Sequence, residues 1–148
     1  MAKIRTVQTN TINITCTNND YLPTQGTSGS AGFDLFSTED ININPNSIAL
    51  IDTGITIEFP DNIFGIIKSR SGISYKHGIK AYENVIDSDY RGAVKVVLSN
   101  ASQKAYTVSV GDRIAQLVFL PRLPIILNIV DNFDETDRGA GGFGSTGK

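Results

Sequence analysis

The chain has 148 residues, 40% of them apolar, and thirteen Lys and Arg stand against fifteen Asp and Glu for a net charge of −2. That is enough apolar material for one core but not for two. A surface this balanced lacks the clustered basic excess that draws a nucleic-acid backbone, and no run approaches the roughly 18 apolar residues of a membrane helix, so neither nucleic acid nor membrane is expected as a partner.

In chain order, the elements read as strands. Residues 12–17 alternate apolar and polar at period two. After the small-residue loop 24–31, further strand-like runs follow at 32–37, 41–43, 47–59 and 63–69. Others lie at 93–99, 106–110 and 125–130, each rich in Ile, Val, Phe or Thr. Turns are expected at Pro45-Asn46, at Pro60-Asp61-Asn62 and at Val110-Gly111-Asp112. The best short helix candidate is 112–117. Many short strands without crossover helices point to an all-β fold, a sandwich, jelly roll or barrel. The division expected is a β domain over 1–136 and a Gly-rich arm over 137–148, where five glycines surround a single aromatic, Phe143. The polar N-terminus shows no signal-peptide pattern, so a cytoplasmic protein is expected, or a nuclear one in a eukaryotic or viral setting.

Cys16 and His77 are the only residues of their types. An internal disulfide and a structural zinc site are thereby excluded, a catalytic base should be a carboxylate, and any metal should be a hard, oxygen-bound cation such as magnesium. His77 reads as structural. Residues 142–148 match GxxxxGK, but a working phosphate-binding P-loop continues with Ser or Thr into a helix, and this one does not. Lys68-Ser69-Arg70-Ser71-Gly72 offers a guanidinium fork, a hydroxyl and a closely approachable backbone, although a plain turn has the same composition. Residues 85–92, Val-Ile-Asp-Ser-Asp-Tyr-Arg-Gly, place Asp87 and Asp89 on a tight turn that can aim one carboxylate into a site. Gln116, between Ala115 and Leu117, either faces solvent or serves a buried polar site.

These clusters, the last of them within the motif 111–117, with 31–37 before them and 138–147 after them, form five ordered motifs over nearly the whole domain. In that order they resemble the trimeric deoxyuridine triphosphate nucleotidohydrolase (dUTPase) family. The resemblance implies a β jelly roll and hydrolysis of dUTP to dUMP and pyrophosphate, which keeps uracil out of DNA and supplies dUMP for dTMP synthesis. Asp87 would activate water against the α-phosphorus. A magnesium ion, Mg2+, would bridge the phosphates, with Asp34 and Gln116 reaching it through water. Arg70, Ser71 and Gly72 would contact phosphate, and Arg138 would clamp its terminal group. Phe143 would stack over uracil, with Gly144 and Ser145 beside it on the substrate.

Tyr90 would lie under the sugar and leave no room for a 2′-hydroxyl. The hairpin through Asn84, Val85 and Ile86 would read uracil by backbone groups, with Lys95 as a further contact. The resemblance also implies a homotrimer whose active sites each draw on three subunits. Two stretches depart from the pattern. Ala81-Tyr82-Glu83-Asn84 stands where relatives are commonly glycine-rich, and Lys68-Ser69 where Ala-Pro is frequent. The competing readings are a dCTP deaminase on the same fold and a nucleotide-gated regulatory protein without turnover.

Overall fold

The computed structural model describes residues 10–142. Its strands are β1 (Asn13–Cys16), β2 (Gly32–Phe36), β3 (Ile41–Ile43), β4 (Ile48–Asp52), β5 (Ile55–Glu58) and β6 (Ile63–Lys68). After the helix α1 (Ser71–His77) come β7 (Ile79–Ala81), β8 (Val85–Ile86), β9 (Lys95–Asn100), β10 (Tyr106–Val108) and β11 (Arg113–Pro121). Every pairing is antiparallel, in the orders β2-β11-β6-β8, β4-β9-β7, β1-β5 and β10-β3. Strands far apart in sequence lie side by side, as β2 does with β11 and β4 with β9. This is the all-β, jelly-roll-like architecture expected.

Alternation builds the core. Along β6, Ile63, Gly65 and Ile67 point inward, and along β9 Val96, Leu98 and Asn100 do so. They meet Leu35, Ile43, Ile51, Ile79, Val94, Val108, Ile114 and Leu117, all at most 2% exposed. Each large side chain removed from water in this way contributes about 1.5–3 kcal/mol. The buried amide of Asn100 is fully engaged: its Nδ2 donates to the carbonyls of Ile43 (2.8 Å) and Lys104 (2.7 Å). Its Oδ1 accepts from the N–H (2.9 Å) and hydroxyl (2.8 Å) of Ser102, so burial costs it no hydrogen bond.

Three expectations are corrected. The run 47–59 is two strands, β4 and β5, broken at Thr53-Gly54, where the Gly54 N–H is held by Asp52 Oδ1 at 2.7 Å. Residues 112–117 form no helix. From Arg113 onward they are β11, paired with β2 on one side and β6 on the other, and two ladders outweigh the helical propensity of Ala115, Gln116 and Leu117. The helix lies instead at α1, where the Gly78 N–H closes the last turn onto the carbonyls of Ile73 and Ser74. Residues 125–130 pair with nothing among the described residues, and Ile126, Leu127 and Ile129 are more than 90% exposed. The three expected turns are present.

Candidate active site

Two strand ends carry the candidate residues. The first is β8, which pairs with β6 through Val85↔Ile66 and Ile86↔Gly65 and is the edge strand of its sheet. Asn84 extends this contact, its carbonyl accepting from the N–H of Ile67 at 3.0 Å. Ile86 plugs into the core at 6% exposure while Val85 faces out at 60%. That alternation delivers Asp87 to the surface, where the chain turns and the Tyr90 N–H closes onto the Asp87 carbonyl at 3.1 Å.

The turn is fixed from two sides. The Tyr90 hydroxyl donates to the Ala93 carbonyl at 3.0 Å, which lays its ring across Gly92 so closely that a Cβ there would collide with it. The Arg91 guanidinium donates to the carbonyls of Ser88 (2.7 Å) and Tyr90 (3.1 Å) and reaches Glu58 on β5 at 3.2 Å. A hydrogen bond from Asn13 on β1 and the charge of Arg91 hold the Glu58 carboxyl below its ordinary value of 4.5. The result is a cavity of about 250 Å³ whose lining includes Leu50, Asn84, Val85, Asp87, Tyr90 and Lys95.

The second is the end of β6 at Lys68, where the register sets Gln116 of β11 beside both Lys68 and Asp34 of β2. Arg70, just past β6, donates from Nε to Asp34 Oδ1 at 2.9 Å and from a terminal nitrogen to the Arg113 carbonyl at 3.0 Å. Arg113 reaches the other Asp34 oxygen at 3.3 Å. One carboxylate thus orients two guanidiniums. Gln116, half-buried, donates to the Ser69 carbonyl at 2.9 Å and lies against Gly32, where a side chain would strike it. With Ser71, Gly72, and Gly26 and Ser30 from the small-residue loop, these groups line a polar cavity of about 270 Å³. Its charge and exposed amides suit an anion.

The two cavities share no lining residue: Asp87 stands in the first and Arg70 in the second. Arg138 lines neither; it is exposed and donates to the Gly141 carbonyl at 2.8 Å. Phe143, Gly144 and Ser145 lie outside the described residues. His77 packs its ring on Tyr106 at 5.2 Å, in keeping with a structural role. Sequence reasoning missed Arg113, although it sits within the motif that supplied Gln116, and Leu50, whose exposed position in β4 no local pattern marks. Among the described residues no group of three or more His, Cys, Asp or Glu can hold a metal ion. Both Asp34 oxygens accept from arginines, whereas Gln116 Oε1 accepts no hydrogen bond from the described residues. Such groups fit a hydrated magnesium ion contacted through water, not a protein-ligated one.

The sequence profile of the dUTPase family matches residues 18–147, which takes in both cavities. The chain belongs to the dUTPase family. It is 48% identical over 132 residues to the deoxyuridine 5′-triphosphate nucleotidohydrolase of Actinobacillus pleuropneumoniae, covering 86% of this chain and 87% of that one. The corresponding protein of Candida albicans is 46% identical over 133 residues, covering 86% and 81%. Among solved structures, a variant of the Staphylococcus bacteriophage 80alpha dUTPase with dUpNHpp superposes with a TM-score of 0.86 at 27% identity, over 95% of this chain and 100% of that one. A phage phi11 dUTPase variant, described for its coordination of a structural Mg(II) ion, shares the fold with a TM-score of 0.79 at 24% identity, over 85% and 100%.

Proposed function

We propose that the protein is a dUTP diphosphatase that hydrolyses dUTP to dUMP and pyrophosphate, with Asp87 as the general base. The observation that carries this reading is an exposed carboxylate in the lining of a cavity that also takes in an edge strand and an aromatic ring fixed through its hydroxyl. As an edge strand, β8 leaves main-chain donors and acceptors beside Asn84, Val85 and Ile86 without a ladder partner, and these read the uracil edge. The Tyr90 ring, pinned through its hydroxyl, supports the deoxyribose and leaves no space for a 2′-hydroxyl. Asp87 accepts the proton of a water aimed at the α-phosphorus, and in-line displacement expels pyrophosphate. Arg70, Ser71 and Gly72 take the phosphate chain, Arg113 adds a second cation beside Arg70, and Lys95 stands on the wall of the base cavity. Magnesium would supply neutralisation of the triphosphate charge. Asp34 and Gln116 would reach it through water.

The reading includes a homotrimer with shared active sites. The residues for base and water activation and those for phosphate line separate cavities, which supports a site completed by a second copy. The run containing Ile126, Leu127, Ile129 and Phe133, each over 90% exposed, is more apolar surface than a monomer leaves in water. The arm carrying Arg138, Phe143, Gly144 and Ser145 then closes over a neighbour's ligand. Substituting Asp87→Asn tests the chemistry. Turnover should fall about 10²–10⁴-fold, the usual worth of a general base, while dUTP affinity persists. Undiminished turnover would remove Asp87 from the mechanism.

A further inference from the structure

The two stretches in which the chain departs from the family pattern, Lys68-Ser69 and Ala81-Tyr82-Glu83-Asn84, are packed against each other. Ser69 follows β6 and faces Ala81, the last residue of β7. The Tyr82 N–H bonds to Val97 on β9 at 2.9 Å, so the alternation of the ladder turns the N–H and carbonyl of Ala81 to the opposite, open edge. One hydroxyl satisfies both. Ser69 Oγ accepts from the Ala81 N–H at 2.9 Å and donates to the Ala81 carbonyl at 3.2 Å. The Ser69 carbonyl in turn accepts from Gln116 Nε2 at 2.9 Å. Beside this, Lys68 Nζ meets Glu83 Oε1 at 2.6 Å, with side chains 41% and 58% exposed. Proline at position 69 could make neither contact with Ala81, because its side chain carries no polar atom.

We propose that Ser69 is a positioning residue that locks the base-reading segment 84–86 in place relative to the phosphate loop 70–72. The inference rests on the roles assigned to those segments above. Ser69 lies between the segments and touches both neighbourhoods, holding the end of β7, from which the chain enters β8, through its side chain and Gln116 of the phosphate cavity through its carbonyl. The Lys68–Glu83 pair is exposed and contributes little, so the hydroxyl carries the effect.

Ser69→Ala leaves two main-chain groups of a buried residue without their partner, and loss of hydrogen bonds of this kind corresponds to about a tenfold effect. The KM for dUTP should rise about tenfold and the preference for dUTP over dCTP should narrow, with kcat changing less than KM. Ser69→Thr, which keeps the hydroxyl, should restore both, and Glu83→Gln should change KM less than about twofold. In the nucleotide-free protein, amide exchange at residues 81–86 should accelerate in Ser69→Ala alone. The proposal is overturned if exchange there is unchanged, if KM and base preference stay at wild-type values, or if Glu83→Gln matches Ser69→Ala. Failure of the wild-type protein to turn over dUTP would overturn the functional reading, whereas the exchange measurement decides separately whether the clamp exists.

Discussion

Replacing Asp34 with asparagine separates the charge that orients Arg70 and Arg113 in the polar cavity from the shape of the side chain. The Asp34 side chain is only 15% exposed and holds Arg70, 25% exposed, at 2.9 Å, and Arg113, 53% exposed, at 3.3 Å. The Arg113 contact is half in water and is worth about 0.2–1 kcal/mol. The Arg70 contact is largely shielded, and removing one member of a buried pair costs about 3–5 kcal/mol because the other charge is left behind. Here that cost is reduced, since Arg70 keeps a second anchor on the Arg113 carbonyl at 3.0 Å and a quarter of its surface in water. A net loss of about 2 kcal/mol follows, or about 4–8 °C in Tm for a chain of this length. Thermal unfolding should show this drop, and a steady-state assay on the same sample should show a raised KM for dUTP as Arg70 loses its orientation. An unchanged Tm with an unchanged KM would refute the idea that Asp34 aims these two cations.

Three further outcomes are expected. Glu58 has a depressed folded pKa, so its contribution is fully present above its ordinary value of 4.5 and is lost as pH falls through the lower folded value. Urea midpoints on either side of that pH should reveal the loss in the wild type and its absence in Glu58→Gln. Gly92→Ala would drive a Cβ into the Tyr90 ring, and parallel assays should show UTP hydrolysis gaining on dUTP hydrolysis. Ile129→Asp places a charge in an apolar run that is 98% exposed at that residue, and if the proposed trimer uses this run, sedimentation should show smaller species than the unsubstituted protein, with activity falling alongside.

The strands that sequence revealed are those whose burial alternates within one segment. β6 and β9 turn inward at every second position, where Ile63, Ile67, Val96 and Leu98 sit, and both lie close to where expected. β11 was hidden because Ala115, Gln116 and Leu117 favour a helix locally, while what makes them a strand is a partner on each side, one drawn from residues 32–36 and the other from 63–68. The helix α1 was hidden for the opposite reason. Its seven residues include Gly72 and β-branched Ile73, both poor helix formers, and its last turn depends on Gly78. Residues 125–130 have a strand's composition but pair with nothing among the described residues, and composition alone supplies no partner. At the site, the order of the motifs was readable. The Arg70–Asp34–Arg113 arrangement was not, because it depends on sheet register and on which face of β2 the carboxylate leaves.

Pyrophosphate release with magnesium, measured in parallel on dUTP, dCTP, dTTP and UTP, bears most directly on the proposed function. A base pocket built from the β8 edge and a sugar platform built from Tyr90 require rapid turnover of dUTP and little of the other three. Comparable release from all four would contradict that selectivity, and no release from dUTP would contradict the hydrolytic function itself.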